Sequence, residues 1–522
     1  MLRRLPEPAQ LALLLLVLTL PFLGKPVHID DANFLALARG ALADPWRPHG
    51  ILVNWQGTMQ PAFDVLSNPP GIGWLLAPVV GMPVWVQHLW MMPWLVLAAL
   101  GAWRLGDRLS KGKGFAAAVL LCASPSAVLA AQSLMPDLPL LACVLLGLSG
   151  LAPRPGAPAA VHRWPWALVV GAAALFRYSG LAMVPLVVAW ALLQRDRRAA
   201  VSWGLAAAVP TLGLWVHDLA AYGSVHFVAM MDFQDMDGGL RGSFRKLAAA
   251  VAMLGGALVL PVLCWVRPRL AWGGAVGGAA LGGLAVWVSA LQGGPAVMTV
   301  LACAAGGASL VGALDPRHRH GAFAALWMLG GLVFLVKLRF TAARYWLPFM
   351  APAVLVPLAT ASPRLVRVAL VLTPLLALGL ASADARLAHA QDALAAKVIA
   401  QVPQGDRRVA GHWGWQHHLE AAGWTPLEDD APVPVGTWIA RSDIAWPQEP
   451  GPVCTENVAT LSLGPGRPML RVHSATAAVN IHAFVVSASP APVETYAPWG
   501  IAADPWDTVT VDRVVACPSP AP

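Results

Sequence analysis

Residues 9–34 read AQLALLLLVLTLPFLGKPVHIDDANF: a long apolar run, then two adjacent carboxylates, Asp30 and Asp31, where the chain leaves it. The run follows Met1-Leu2-Arg3-Arg4 and has the layout of a secretory signal. Many more apolar spans come after it, and no small-x-small cleavage site precedes Pro26, so it reads as a first membrane helix that stays attached.

The whole chain repeats that pattern. Of 522 residues, 57% are hydrophobic and only 12% charged, with a mean hydropathy of +0.61, which places the protein among polytopic α-helical membrane proteins. Further apolar spans fall near 82–103, 115–131, 136–152, 199–217, 246–266, 270–290, 295–314, 321–337, 342–360 and 366–381. The stretch 165–193 is interrupted by Phe176-Arg177-Tyr178-Ser179-Gly180. A charge at bilayer depth is costly unless it faces protein or water, so this stretch is predicted to split into two short helices meeting near one membrane face.

Basic residues test the count, because they collect in cytoplasmic loops. Arg3/Arg4, Arg104/Arg108/Lys111/Lys113, Arg154/Arg163, Arg195/Arg197/Arg198, Arg267/Arg269, Arg317/Arg319 and Arg364/Arg367 fall on one side if 165–193 crosses twice. About thirteen spans follow, with the N-terminus in the cytoplasm, the chain in the inner (plasma) membrane, and everything after residue 381 outside. The pI of about 9.5 then reflects topology, and no nucleic-acid partner is implied. The predicted organisation is a transmembrane domain over 1–381, with outer loops at 25–81 and 218–245, and an extracytoplasmic α/β domain over 382–522.

Candidate chemistry gathers at the outer face. In the first loop Asp30 or Asp31 can cap a helix whose apolar face carries Phe34, Leu35, Ala38, Ala41 and Leu42 and which ends at Asp44-Pro45-Trp46. Asn68-Pro69-Pro70-Gly71 breaks the chain before a second short run, and Trp46, Trp55 and Trp74 suit the membrane interface. Asp137 is the acidic residue that this topology puts outside between Val65 and His217. Arg177, Lys337, Arg339, Arg344 and Tyr345 lie at similar depth. Carboxylates and arginines converging at a membrane face suit a general base beside a site that holds a phosphate while its leaving oxygen departs.

These residues resemble the C-type glycosyltransferases (GT-C fold), membrane enzymes that use polyprenyl-phosphate sugars and include the protein O-mannosyltransferases and the aminoarabinose transferase of lipid A. The similarity runs over roughly 9–380. It rests on Asp30-Asp31, Asn68-Pro69-Pro70, Met135-Pro136-Asp137-Leu138-Pro139, Phe176-Arg177-Tyr178-Ser179-Gly180 and Arg344-Tyr345-Trp346-Leu347-Pro348. The resemblance implies transfer with inversion to an envelope acceptor, with Asp30 as base, Asp31 and Asp137 beside it, and Arg177 with Arg339 or Arg344 on the lipid phosphate. Lys337 flanks the same turn and Tyr345 can hydrogen-bond that phosphate. Asn68 departs from the pattern, standing where the family has a basic residue before Pro-Pro, and Asn33 stands where the aminoarabinose enzyme has an arginine.

Other segments take looser roles. Asp232-Phe233-Gln234-Asp235-Met236-Asp237 sits in the second loop; its acids could hold a divalent cation, but their spacing is not that of an EF-hand, and a solvated loop accounts for them better. Asn68, Asp232, Asp235, His412 and Trp413 are candidates for acceptor or loop contacts. Arg408-Val409-Ala410 reads as a strand entering Gly411-His412-Trp413-Gly414-Trp415, followed by a short helix that Gly423 stops, with further strands within 468–472 and 477–487. His417 and His418 lack zinc-finger spacing. Cys122, Cys143, Cys264 and Cys303 fall in spans, whereas Cys454 and Cys517 lie outside, where a disulfide can persist. The rival reading is a transporter or lipid flippase, but no internal repeat relates two halves, and the unusual residues gather at one face.

Overall fold

The computed structural model describes residues 5–153, 159–234, 239–258, 267–338, 340–474, 476–484 and 495–517. Among these, five helices are long and apolar enough to cross a membrane: Val84–Leu109, Arg197–Tyr222, Pro268–Val288, Gly293–Ala313 and Pro363–Gln401. Gly114–Cys122 and Pro125–Ala131, bent by 66°, add a sixth if they form one span. The apolar runs expected at 9–24, 136–152, 178–193 and 321–337 fold as helices of 10–17 residues, shorter than the ~20 residues of an ordinary crossing. The run at 342–360 folds as a 3₁₀ turn, Ala343–Trp346, followed by the short helix Ala351–Leu358. Thirteen full-length crossings are therefore not what the helix lengths give; the helices stand where expected, but several are short or broken.

The helix surfaces carry the mark of lipid contact. On Arg197–Tyr222 the residues Val201, Leu205, Val209, Leu212, Val216 and Leu219 form one exposed apolar stripe, which suits hydrocarbon and not water. Between helices the contact residues are small, as expected where no hydrophobic effect drives association. On Pro268–Val288 a Cβ at Gly274 or Gly278 would collide with backbone of Gly293–Ala313, at Gly307 and Cys303 respectively.

The stretch 165–193 breaks where the sequence places its charge. Trp164–Gly171 is α-helical, Ala172–Leu175 is a 3₁₀ turn, Arg177 is extended at φ −149° and ψ 144°, and the chain resumes through Tyr178–Ala182 into Met183–Leu193. Gly180 lets the two turns close: a Cβ there would lie against the backbone of Ala173 and Ala174.

The two loops expected outside are more structured than the sequence suggests. Helix Asp31–Ala43 ends at Asp44 as read from the sequence, and a two-stranded hairpin, Leu52–Asn54 with Met59–Pro61, follows it. Trp55, in the hairpin turn, packs against His412 of the C-terminal region with ring centroids 5.4 Å apart. Its partner is therefore protein, whereas Trp46 is exposed. The segment 218–245 is largely helical: Arg197–Tyr222 ends at Gly223, which adopts φ +78°, and His226–Gln234 and Gly239–Ala257 follow. Asp232 lies in the first of these, so its backbone is helical where a loop was expected, while Asp235 and Asp237 lie outside the described residues.

Helix Pro363–Gln401 runs unbroken past residue 381 and carries the chain into the C-terminal region. Five strands form a mixed sheet there in the order Thr425–Pro426, Arg407–Ala410, Trp438–Ser442, Asp507–Val515, Cys454–Leu463. The first three are parallel neighbours, and Asp507–Val515 pairs antiparallel to both strands beside it. Cys454 and Cys517 form a disulfide at the end of that last pairing. Cys122, Cys143 and Cys303 are buried thiols, and Cys264 lies outside the described residues.

The sheet meets the long helix at a buried acid. Asp507 accepts from Ser442 Oγ at 2.7 Å and Gln391 Nε2 at 3.3 Å, yet burial pushes its carboxyl up to about 7. The folded state thus favours the neutral acid: its stabilisation is full below the unfolded value near 4 and is lost as pH rises through 7. Thermal unfolding of the full chain in detergent is expected to occur several degrees lower at pH 8.5 than at pH 5 from this group. Asp507→Asn should flatten that part of the profile, and an unchanged profile would remove Asp507 as its source.

Candidate functional site

Asp30 and Asp31 are neighbours sent in different directions. The residue before them, Ile29, is β-branched yet sits at φ +46°, a left-handed conformation that costs about 1–3 kcal/mol and is held only where packing dictates it. Its side chain is buried with Val27 and Phe34, so the flanking His28 and Asp30 are fixed in position around it. Neither acid caps helix Asp31–Ala43 with its side chain. Asp31 is fully buried and accepts from the backbone N–H of Leu134 at 2.8 Å. Burial pushes its carboxyl up to about 6, against the opposing pull of Lys25 and of that N–H. Asp31 therefore ties the first loop to the turn before helix Asp137–Leu151.

Asp30 reaches the charged cluster. Its Oδ2 accepts from Arg344 Nη2 at 2.6 Å, and 21% of its side chain is exposed. Arg344 Nε lies 3.6 Å from Asp137 Oδ2. Asp137, at the first position of its helix and wholly buried, takes both oxygens to Arg177 Nη1 at 2.8 and 2.9 Å. The Tyr345 ring lies under both guanidinium groups, 4.1 Å from that of Arg177 and 5.2 Å from that of Arg344, close enough for cation–π attraction. Two carboxylates and two guanidiniums thus alternate as Asp30, Arg344, Asp137, Arg177, and the accessible acid is at one end.

The C-terminal region helps to build this cluster. Ala343 N–H donates to Ile481 at 3.2 Å, Phe484 N–H donates to Thr341 at 2.6 Å, and Arg344 Nη1 donates to the carbonyl of His482 at 2.9 Å. The turn carrying Arg344 and Tyr345 is held from outside by residues 481–484.

The remaining sequence candidates lie elsewhere. Lys337 is exposed at the end of helix Gly321–Lys337, and Arg339 lies outside the described residues. Asn68 is half-buried and its carbonyl accepts from His49 at 3.0 Å. His412 is buried against Trp55, beside Gln448. Trp413 begins the short helix Trp413–Glu420 and packs against the apolar cluster of the first loop. Asp232 is placed only by its helix.

Sequence reading has no counterpart for a second polar cluster next to the first. Asp384 is fully buried on the long helix. It accepts from Lys25 Nζ at 2.8 Å and His482 Nε2 at 2.7 Å, with His28 Nε2 at 3.5 Å. These residues and Arg344 border a small pocket. The available signal was a lone acid in the alanine-rich stretch Ala381-Ser382-Ala383-Asp384-Ala385, where an isolated carboxylate needs a partner.

No protein-family model matches the chain, and no curated protein matches it. Among solved structures it is similar to ArnT from Cupriavidus metallidurans bound to undecaprenyl phosphate, at TM-score 0.39 and 16% identity over 84% of this chain and 92% of that one. The apo state of ArnT gives TM-score 0.40 and 16% identity over 83% and 92%. The arabinofuranosyltransferase AftD from Mycobacteria gives 0.38 and 16% over 98% of this chain and 40% of that chain. All three likenesses are distant.

The buried pair sets a stability test. Removing one partner strands a buried charge and costs about 3–5 kcal/mol, whereas replacing both with apolar residues of similar volume is often neutral. Asp137→Ala should lower the midpoint of thermal unfolding markedly, and Asp137→Leu combined with Arg177→Met should recover most of it. A double variant no more stable than Asp137→Ala would show that the pair is not the source of the loss.

Proposed function

We propose that the chain is an integral membrane glycosyltransferase that moves a sugar from a polyprenyl-phosphate donor to a cell-envelope acceptor, a glycan, lipid or protein, on the outer face of the plasma membrane. The observation that carries this reading is the alternation of Asp30, Arg344, Asp137 and Arg177, with Asp30 the more open of the two acids. The ordered motifs from Asp30 to Pro348 support it.

In this reading the donor phosphate enters beside Arg344 and Arg177, where paired guanidiniums and the Tyr345 hydroxyl suit its oxygens. The arriving anion competes with Asp30 for Arg344. Asp30, released from that cation, takes the proton of the acceptor hydroxyl or amine. The acceptor atom forms its bond to the anomeric carbon as the carbon–oxygen bond to phosphate breaks, with inversion, and the electron pair leaves on the phosphate oxygen. The guanidiniums stabilise that developing charge at a site set apart from bulk water, where such interactions are strong. Asp137 keeps Arg177 and Arg344 in place, and Asp31 holds the loop that presents Asp30.

The test is turnover of labelled polyprenyl-phosphate sugars by membranes carrying equal amounts of wild type and Asp30→Asn. Loss of a general base is expected to lower turnover by about 10²–10⁴-fold while leaving insertion and thermal stability close to wild type, because Asp30 is at the open end of the cluster. Equal release of polyprenyl phosphate by both proteins would end the assignment of Asp30 as base.

A further inference from the structure

Behind the Asp30 cluster, three side chains from distant parts of the sequence offer ligand atoms to one point. His28 comes from the first loop, Asp384 from the long helix and His482 from the C-terminal region. All three are buried, and one nitrogen or oxygen of each lies within 4.8 Å of the others. We propose that His28 Nε2, His482 Nε2 and Asp384 Oδ1 bind one divalent cation of the zinc type, with the fourth position open to the cavity that Arg344 borders. This proposal rests on these residues alone and does not require the transferase reading.

Four observations support it. His28 is 1% exposed, and neither of its ring nitrogens makes a well-formed hydrogen bond, Nε2 having only its 3.5 Å approach to Asp384. A neutral imidazole buried without such a bond is costly, and a cation at this point would satisfy Nε2, which faces Asp384. The donor set of two imidazoles and one carboxylate also matches that of zinc sites that keep a position for water or substrate.

The spacing is close to what that coordination needs. Metal–ligand bonds of about 2.0–2.1 Å in a tetrahedron put ligand atoms about 3.3 Å apart. His28 and His482 nitrogens lie 3.5 and 2.7 Å from Asp384 Oδ1, and all three ligand atoms lie within 4.8 Å of one another, so side-chain shifts without backbone rearrangement separate the arrangement from a coordinated one. Finally, Lys25 donates to the other oxygen of Asp384 at 2.8 Å. It leaves Oδ1 for the metal and orients the carboxylate, the part that outer partners play at metal sites.

Charge defines what fills the fourth position. Lys25 already balances Asp384, and the imidazoles are neutral as ligands, so a divalent ion would add two uncompensated positive charges in a buried place. An anionic oxygen ligand, hydroxide or a phosphate oxygen, would reduce that excess. The cavity supplies access to it, and Arg344 on its wall favours the same anion.

The experiment uses the full chain purified in detergent without a polyhistidine tag, stripped of metal, then dialysed against Zn²⁺ or Co²⁺. One equivalent of tightly held metal per chain is expected, lost in His28→Ala, His482→Ala and Asp384→Asn and kept in His162→Ala, which alters an exposed histidine. Bound Co²⁺ should give the visible absorption of a four-coordinate site, and inorganic phosphate should shift it. Because Asp384→Asn disturbs the Lys25 pair and can impair folding, His482→Cys provides the second arm. It keeps a ligand and should add a thiolate-to-cobalt charge-transfer band. Wild type that holds no metal, stoichiometry unaffected by the three ligand variants, or a cysteine variant that binds cobalt without that band would each overturn the proposal and leave the trio as a hydrogen-bonded ion pair.

Discussion

Arg344 is the residue on which the rest of the site depends. It bonds Asp30 from the first loop, lies against Asp137 at a helix start, and donates to the carbonyl of His482 from the C-terminal region. A guanidinium suits this work because it is planar, permanently charged and able to donate in several directions at once. Without it, Asp30 and Asp137 would be two like charges in a poorly solvated space with one cation fewer between them. A lysine would supply the charge but not the several donors fixed in one plane.

The same residue ties the C-terminal region to the Asp30 cluster. Residues 481–484 fasten the turn that carries Arg344 and Tyr345, and His482 also bonds Asp384. Helix Trp413–Glu420 lies so close to the first loop that a Cβ at Gly414 would collide with the carbonyl of Val27. Asn54 of the hairpin donates to Leu427 at 3.0 Å, and Asp429 N–H donates to Gly57 at 2.7 Å. The sheet region is thus bonded to the acidic loop at several points, and any motion that parts them must break polar bonds sheltered from water, where they are strong.

The sequence made some of this legible, for physical reasons that can be named. A charge within an apolar run must interrupt it or face protein, and the chain does break at Arg177. Pro136 before Asp137 marks a helix start, and the helix begins at Asp137. The strand at 407–410 and the stop at Gly423 follow from β-branching and left-handed glycine. Hidden from such reading were contacts between residues hundreds of positions apart: Lys25 with Asp384, Arg344 with Asp30, Trp55 with His412. Helix periodicity identifies an apolar face but not its partner, so the glycine seam at Gly274 and Gly278 and the pairing of His28 with His482 emerge only from tertiary packing. The side-chain cap expected of Asp30 or Asp31 does not form, because the two carboxylates bond instead to a guanidinium and to a buried N–H.

Asp30 and Asp31 also show how one dipeptide can serve two physical ends. The left-handed Ile29 fixes the chain so that successive helical positions diverge, and burial separates their chemistry. Asp31 loses solvent altogether, and burial favours its protonated form more than Lys25 and the Leu134 N–H favour its charge. Such a group can anchor, but it has no open side through which a substrate proton could pass. Asp30 keeps a fifth of its surface open and is held by a cation that is itself shared. An acid in that position can exchange partners without unfolding the loop, because Asp31 and Ile29 already hold the loop. The anchoring acid and the strained residue before it thus leave Asp30 free to change its bonds.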